Sequence, residues 1–185
     1  MEFHNRTGLD TARLHALLLR YTEPYRHEKL VVRVRYSRGA DFSGTCYYRE
    51  GRIFVNIGRH VRFPYELGTH VAKACETRTG WRREVYRLRV RDGYQLTLFV
   101  YLHELFHYLV ALAGRSPRRK EAMCDRFATR VLVDDFGCRL RDRFGRPVPR
   151  EAWDFQDLEA FVARARRTTR RAVAARRAIP VRIVR

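Results

Sequence analysis

Alternation of apolar and polar residues predicts β-strands in the first half of the chain. Leu30, Val32 and Val34 alternate with Arg33 and Arg35, which is the period-two pattern of a half-buried strand. Two further alternating segments flank a short turn at residues 50–51 and indicate a hairpin with a two-residue connection. The predicted strands are residues 30–36, 45–49, 52–57 and 84–91, with a loop at residues 39–44.

In the other apolar segments, the apolar residues recur with the spacing of an α-helix. Asp10 is expected to cap a first helix that runs to about Tyr21. A long apolar helix follows residues 92–93 and stops at Gly114, a residue suited to the left-handed conformation that closes helices. Ser116 is the expected cap of the next helix, with Pro117 at its first position. Helices are also predicted at residues 64–76, at 117–133 and from residue 151 onward, with an irregular basic loop at 139–149.

Length and composition favour one domain followed by a tail. The 185 residues are 45% hydrophobic, which is enough to build one core. We expect a single domain over residues 1–163 and a basic tail over residues 164–185. The four cysteines form no Cys-x-x-Cys pair, so reduced thiols in a cytoplasmic protein are expected.

The formal net charge of +19 favours polyanionic partners. Residues 164–185 contain nine arginines and no acidic residue, and Arg164, Arg167 and Arg171 have the spacing of one helical stripe. Nucleic-acid or anionic-partner binding through this tail, with a structural or vestigial metal site, is therefore an alternative function. Residues 95–113 are apolar for the length of a membrane span, but they include two histidines and a glutamate, so a buried core helix and no membrane association are expected.

The strongest chemical signal is the pattern His-Glu-x-x-His at residues 103–107, inside the long predicted helix. Residues four apart project from one helix face, so His103 and His107 can hold one zinc ion. Glu104 lies beside them and is expected to act as the general base. The competing interpretation is two core histidines with ordinary hydrogen bonds, which would place two rings and a carboxylate in an apolar helix at high energetic cost.

A third protein ligand must come from elsewhere in the chain. Every other histidine precedes His103, so downstream acids are the candidates. Glu121 and Asp125 are four residues apart on the next predicted helix and share one face. Glu121 is predicted as the third ligand, and Asp125 is predicted to hydrogen-bond the free ring nitrogen of a ligand histidine. Cys124 is a rival ligand.

Together these two motifs resemble the gluzincin zinc metallopeptidases, which pair His-Glu-x-x-His on one helix with Glu-x-x-x-Asp on the next. The likeness covers roughly residues 30–137 and is greatest to the small single-domain members called minigluzincins. It implies an α+β, zincin-like fold: a twisted, mostly antiparallel sheet packed on the motif helix, a second ligand helix and a C-terminal helix. The segment between His107 and Glu121 is shorter than in thermolysin-like enzymes.

The resemblance also implies a zinc-dependent hydrolase that cleaves peptide or protein substrates, with Glu104 moving the proton. An edge strand of the sheet should align the substrate, and residues 52–57 are the candidate edge. A basic rim would favour acidic substrates. No residue can be matched to the histidine or tyrosine with which the family stabilises the oxyanion, and Tyr101, Tyr108 and the upstream histidines remain open.

Overall fold

The computed structural model describes residues 1–167 and has an α+β architecture. A four-stranded sheet and a three-stranded sheet are accompanied by a short hairpin, and the helices follow mainly in the second half of the described chain. In chain order the elements are β1 (Glu2–Arg6), α1 (Thr11–Thr22), β2 (Val31–Ser37), β3 (Phe42–Tyr47), β4 (Arg52–Gly58), β5 (Tyr65–Thr69), β6 (Ala74–Thr77), β7 (Gly80–Arg83), β8 (Tyr86–Val90), α2 (Gly93–Leu112), α3 (Glu121–Phe136), β9 (Leu140–Arg141) and α4 (Leu158–Val162), with 3₁₀ turns at Arg150–Ala152 and Ala163–Ala165.

The four-stranded sheet has the order β1-β2-β4-β3. β1 pairs with β2 and β2 with β4 in parallel, and β3 alone is antiparallel to its neighbour β4. The expectation of a mostly antiparallel sheet is therefore wrong for this sheet. The candidate edge at residues 52–57 is also wrong, because β4 lies between β2 and β3 and its backbone bonds both. Within the described residues, β3 is the edge strand on that side.

Helix α2 packs against β3 and β4 and forms the centre of the core. The Asp92 side chain accepts a hydrogen bond from the backbone N–H of Gln95 at 2.9 Å and caps the N-terminus of α2. Gly114 takes the left-handed conformation (φ 74°) just beyond the end of the helix. By length and hydropathy this helix could cross a membrane, but 78% of its apolar stretch is buried inside the fold. Its apolar residues face protein on all sides, as predicted for a core helix.

Several local predictions are confirmed and others are wrong. Helix α1 with its Asp10 cap, strands β2 and β8, and helix α2 lie where the patterns predict them. Residues 64–76 are wrong as a helix, because they contain β5 and the start of β6. The hairpin between β3 and β4 closes through four residues, 48–51, rather than two, and β3 begins inside the predicted loop at residues 39–44.

The predicted start of the second helix is also wrong. Helix α3 begins at Glu121 after Lys120, so Ser116 is not its cap. Arg119 takes a left-handed conformation (φ 57°), which interrupts any helix that starts at residue 117. The irregular loop contains the short strand β9, and the last helix is broken into two 3₁₀ turns and α4.

The described fold continues past residue 163. Ala165 is fully buried, and the backbone N–H of Arg167 donates to the carbonyl oxygen of Pro24. Because α4 ends at Val162, Arg164 and Arg167 do not share an α-helix. Arg171 and the rest of the predicted basic tail lie outside the described residues, so nucleic-acid binding through residues 164–185 stays a prediction.

Candidate metal centre

His103 and His107 project from one face of α2, toward the N-terminus of α3. Their ring centroids are 5.2 Å apart, as expected for residues one helical turn apart. Both side chains are largely shielded from solvent, with 16% and 14% exposure. The two rings are therefore neighbours at the boundary between the core and the surface.

Hydrogen bonds from the Nδ1 atoms fix the orientation of both rings. His103 Nδ1 lies 2.8 Å from Asp125 Oδ1, and His107 Nδ1 lies 3.1 Å from the carbonyl oxygen of Pro117. A carboxylate and a carbonyl accept hydrogen bonds, so each Nδ1–H acts as the donor. In its neutral form each ring would then carry the lone pair on Nε2, which is the tautomer that binds metals.

The carboxylate of Glu121 contacts the Nε2 atoms of both rings. Its Oε2 lies 3.1 Å from His103 Nε2, and its Oε1 lies 3.4 Å from His107 Nε2. Imidazole nitrogen and carboxylate oxygen are donors that zinc accepts. The two Nε2 atoms thus lie close to the two oxygens of one exposed carboxylate, and this set of donors is of the kind that fits a divalent metal ion.

Cys124 offers a different third donor. The ligand atoms of His103, His107 and Cys124 all lie within 4.8 Å of one another, and the cysteine is completely buried. Burial, followed by the nearby carboxylates, raises the pKa of this thiol far above its usual range. The Glu121 carboxylate contacts both Nε2 atoms from the surface, with 64% of its side chain exposed, whereas the thiol lies in the apolar interior.

The pKa values of the two histidines are shifted in opposite directions. Burial lowers the pKa of His103, but hydrogen bonds to Asp125 and Glu121 outweigh this effect and raise the pKa to about 10. Burial and the charge of His103 lower the pKa of His107. The hydrogen bond from His103 lowers the pKa of Glu121. A protonated His103 ring is therefore favoured beside the carboxylates of Asp125 and Glu121.

Glu104 is buried between α2 and the edge strand β3. Only 8% of the residue is exposed, and burial raises the pKa of its carboxyl to about 7, an effect that His103 opposes and Glu121 reinforces. Gly44 of β3 lies directly against it, because a Cβ atom on Gly44 would be 2.3 Å from Glu104 Oε1. The carboxyl group therefore lies directly against the edge strand.

Asp125 connects the histidine pair to the segment before β6. Its Oδ2 accepts a 2.6 Å hydrogen bond from the backbone N–H of His70, while Oδ1 contacts His103. Arg126, which is 97% buried, donates to the carbonyl oxygens of Val71 and Ala72 and holds the same segment on α3. Gly44 and Arg126 were not predicted for the site from the sequence, because their positions depend on contacts between distant segments.

The candidates for oxyanion stabilisation differ in their access to this centre. Tyr101 is fully buried and its hydroxyl lies 2.6 Å from Thr22 Oγ1, on the α1 side of the helix. Tyr108 is also buried, against the turn at Gly51. Of the upstream histidines, His70 lies beside the centre, with its Nδ1 3.5 Å from Asp125 Oδ2. The other upstream histidines make contacts elsewhere. His15 stacks on the ring of Phe3, and the remaining three form hydrogen bonds: His4 with Glu2, His27 with the carbonyl oxygen of Tyr25 and His60 with Asp41.

The structure thus brings together His103, Glu104, His107, Glu121 and Asp125, the five residues that the sequence predicts for the site. Comparisons with known proteins add no relative, because the chain matches no protein-family model, no curated protein and no solved structure.

Proposed function

We propose that this protein is a zinc-dependent peptidase of the gluzincin kind, working in the cytoplasm. His103, His107 and Glu121 hold the zinc ion, and Asp125 positions the ring of His103. The observation that carries the proposal is the convergence of two Nε2 atoms on one carboxylate, with both Nδ1 atoms hydrogen-bonded to acceptors behind them.

In this proposal the chain's own residues position the reactants and move the proton. A zinc ion, when bound, polarises a carbonyl group and lowers the pKa of water. Glu104 accepts a proton from the water that attacks the peptide carbonyl and later gives it to the leaving amine. Its burial against β3 keeps the carboxyl group next to the path of a substrate.

The edge strand that aligns the substrate is β3 in place of residues 52–57. Within the described residues β3 pairs with β4 on one side only, so its other side offers backbone donors and acceptors. An extended peptide can add to such an edge by main-chain hydrogen bonds. Gly44 lies in this strand, so a peptide bound beside it runs past Glu104.

The test combines metal analysis with cleavage of a peptide library. The purified chain should hold one equivalent of zinc, His103→Ala should lose it, and His4→Ala, a change of an exposed histidine on β1, should retain it. Glu104→Gln should retain zinc and lose cleavage. Zinc binding that is unaffected by His103→Ala, or cleavage that survives in Glu104→Gln, would refute the proposal.

A further inference from the structure

Arg83 lines three neighbouring cavities, one of which opens on the metal centre. The first, about 460 Å³, includes His103, Glu121 and Arg119 in its wall. The second, about 440 Å³, shares Arg83 and Arg119 with the first and adds Lys120. The third, about 750 Å³, shares Arg83 and extends between β7 and the loop after β9. Because the three cavities share wall residues, we treat them as one depression that begins at the candidate metal centre.

Basic side chains dominate this depression. Arg83 donates to the carbonyl oxygen of Ala72, and Lys73 lies over the ring of Phe155 with its ammonium 4.9 Å from the ring centroid. Neither Arg83 nor Arg119 forms an ion pair with an acid among residues 1–167. Away from the metal centre, Glu84 is the one acidic residue in the walls. We call this surface the basic cleft; its cations are Lys73, Arg82, Arg83, Arg119, Lys120, Arg126, Arg143 and Arg146.

We infer that the basic cleft binds an acidic segment of the polypeptide substrate, on one side of the bond that is cleaved. This inference rests on the proposed peptidase function and adds the class of substrate. Carboxylates match the hydrogen-bonding fork of arginine, and the cleft begins at Glu121, where the reacting bond would lie. The cations would attract acidic chains and hold them in register with the centre.

Two other occupants fit the cleft less well. Residues 168–185 of the same chain contain no acidic side chain, so they offer no matching charge. A nucleic acid would have to bring its phosphates past Glu121 and Asp125 at one end and Glu84 farther along, and like charges repel. An acidic peptide need place its carboxylates only opposite the cations.

The experiment measures peptide binding apart from catalysis. The full chain carrying Glu104→Gln is titrated into a fluorescent peptide with a run of glutamates and into its glutamine counterpart, and anisotropy is recorded at increasing salt. The acidic peptide should bind more tightly, and the advantage should shrink with salt. Adding Arg83→Gln and Arg119→Asn should weaken its binding about tenfold. Asparagine suits the left-handed backbone at residue 119.

The matched control is Arg6→Gln with Arg33→Gln, which removes the same charge from the exposed face of the four-stranded sheet. Equal binding of the two peptides, or equal weakening by the control pair, would overturn the inference. So would tighter binding of a single-stranded oligonucleotide that is lost in the Arg83 and Arg119 variant. If the binding results hold while zinc or cleavage is absent, the peptidase proposal fails and the peptide-binding cleft stands.

Discussion

Gly44 of the edge strand and Glu104 of the central helix are in such close contact that a single methyl group on Gly44 would overlap the carboxyl group. The added Cβ would lie 2.3 to 2.8 Å from the Oε1, Cγ and Cδ atoms of Glu104. Gly44→Ala should therefore displace the proposed general base without touching either histidine. We expect about a hundredfold loss of kcat/KM, as for a misplacement of roughly 1 Å, with zinc content unchanged.

Gly39→Ala is the control for this prediction, because nothing lies within 4 Å of the added Cβ atom. It should leave both activity and zinc content at the wild-type level. Retention of full activity in Gly44→Ala would mean that Glu104 does not act from its position beside β3.

The third ligand can be decided by a pair of substitutions on α3. If Glu121 binds the metal, Glu121→Ala should weaken zinc affinity by more than about a hundredfold, whereas Cys124→Ala should change it little. Competition with a chromogenic chelator measures both affinities. The cobalt-substituted wild-type protein should lack the near-ultraviolet absorption of a thiolate bound to cobalt. The reverse pattern would assign the site to Cys124.

Asp125 is expected to act through His103 rather than on the metal. Asp125→Asn weakens the acceptor of the His103 Nδ1–H group, so zinc affinity should fall by roughly 10- to 100-fold. Asp135→Asn, the same change near the end of the same helix, should leave zinc affinity unaltered, because Asp135 contacts Arg20 and Tyr21. Equal affinities in the two variants would remove Asp125 from the site.

Acid should destabilise the contact between α3 and the segment before α4. Asp154 accepts hydrogen bonds from Arg130 and Arg150; burial raises its pKa, but these bonds outweigh burial and hold the pKa below its usual value. A carboxyl whose pKa is lower in the folded state stabilises the protein above the unfolded-state pKa of about 3.9, and this contribution is lost as the pH falls through the folded-state pKa.

Asp154→Asn should therefore lower the free energy of unfolding by about 2 kcal/mol at neutral pH and by progressively less in acid. Urea unfolding over a pH series measures the difference. Glu151→Gln, an exposed neighbour, should have little effect at any pH. A deficit in Asp154→Asn that stays constant down to strongly acidic pH would contradict the assignment.

The parts of the fold that the sequence predicts are those with a single consistent local pattern. Strand β2 alternates strictly, and α2 combines a long apolar run with a cap at Asp92 and a stop at Gly114. The grouping of residues at the candidate metal centre follows from the same regularity, because His103 and His107 lie on one helix face and Glu121 follows after a short loop. These features depend on neighbours along the chain.

The predictions are wrong where a segment fits two patterns, or where a contact with a distant segment determines the structure. In residues 64–76, Leu67 and Val71 fit a helical spacing, yet Tyr65, Leu67 and Thr69 also alternate, and pairing with β8 selects the strand. Pro117 has the sequence features of a helix start, but in the fold its carbonyl oxygen accepts a hydrogen bond from His107, and the helix begins later. Strand order is invisible in the sequence, so β4 could not be distinguished from the true edge, β3.

Because α2 is at once the centre of the hydrophobic core and the carrier of both histidines, ligand occupancy and global stability cannot vary independently. Opening the rings to solvent requires separation of α3 from the helix that supports the whole domain. Metal at a hundred times its dissociation constant would add about 2.7 kcal/mol to the free energy of unfolding of the whole domain. A chelator should accordingly lower one cooperative melting transition instead of loosening a single loop.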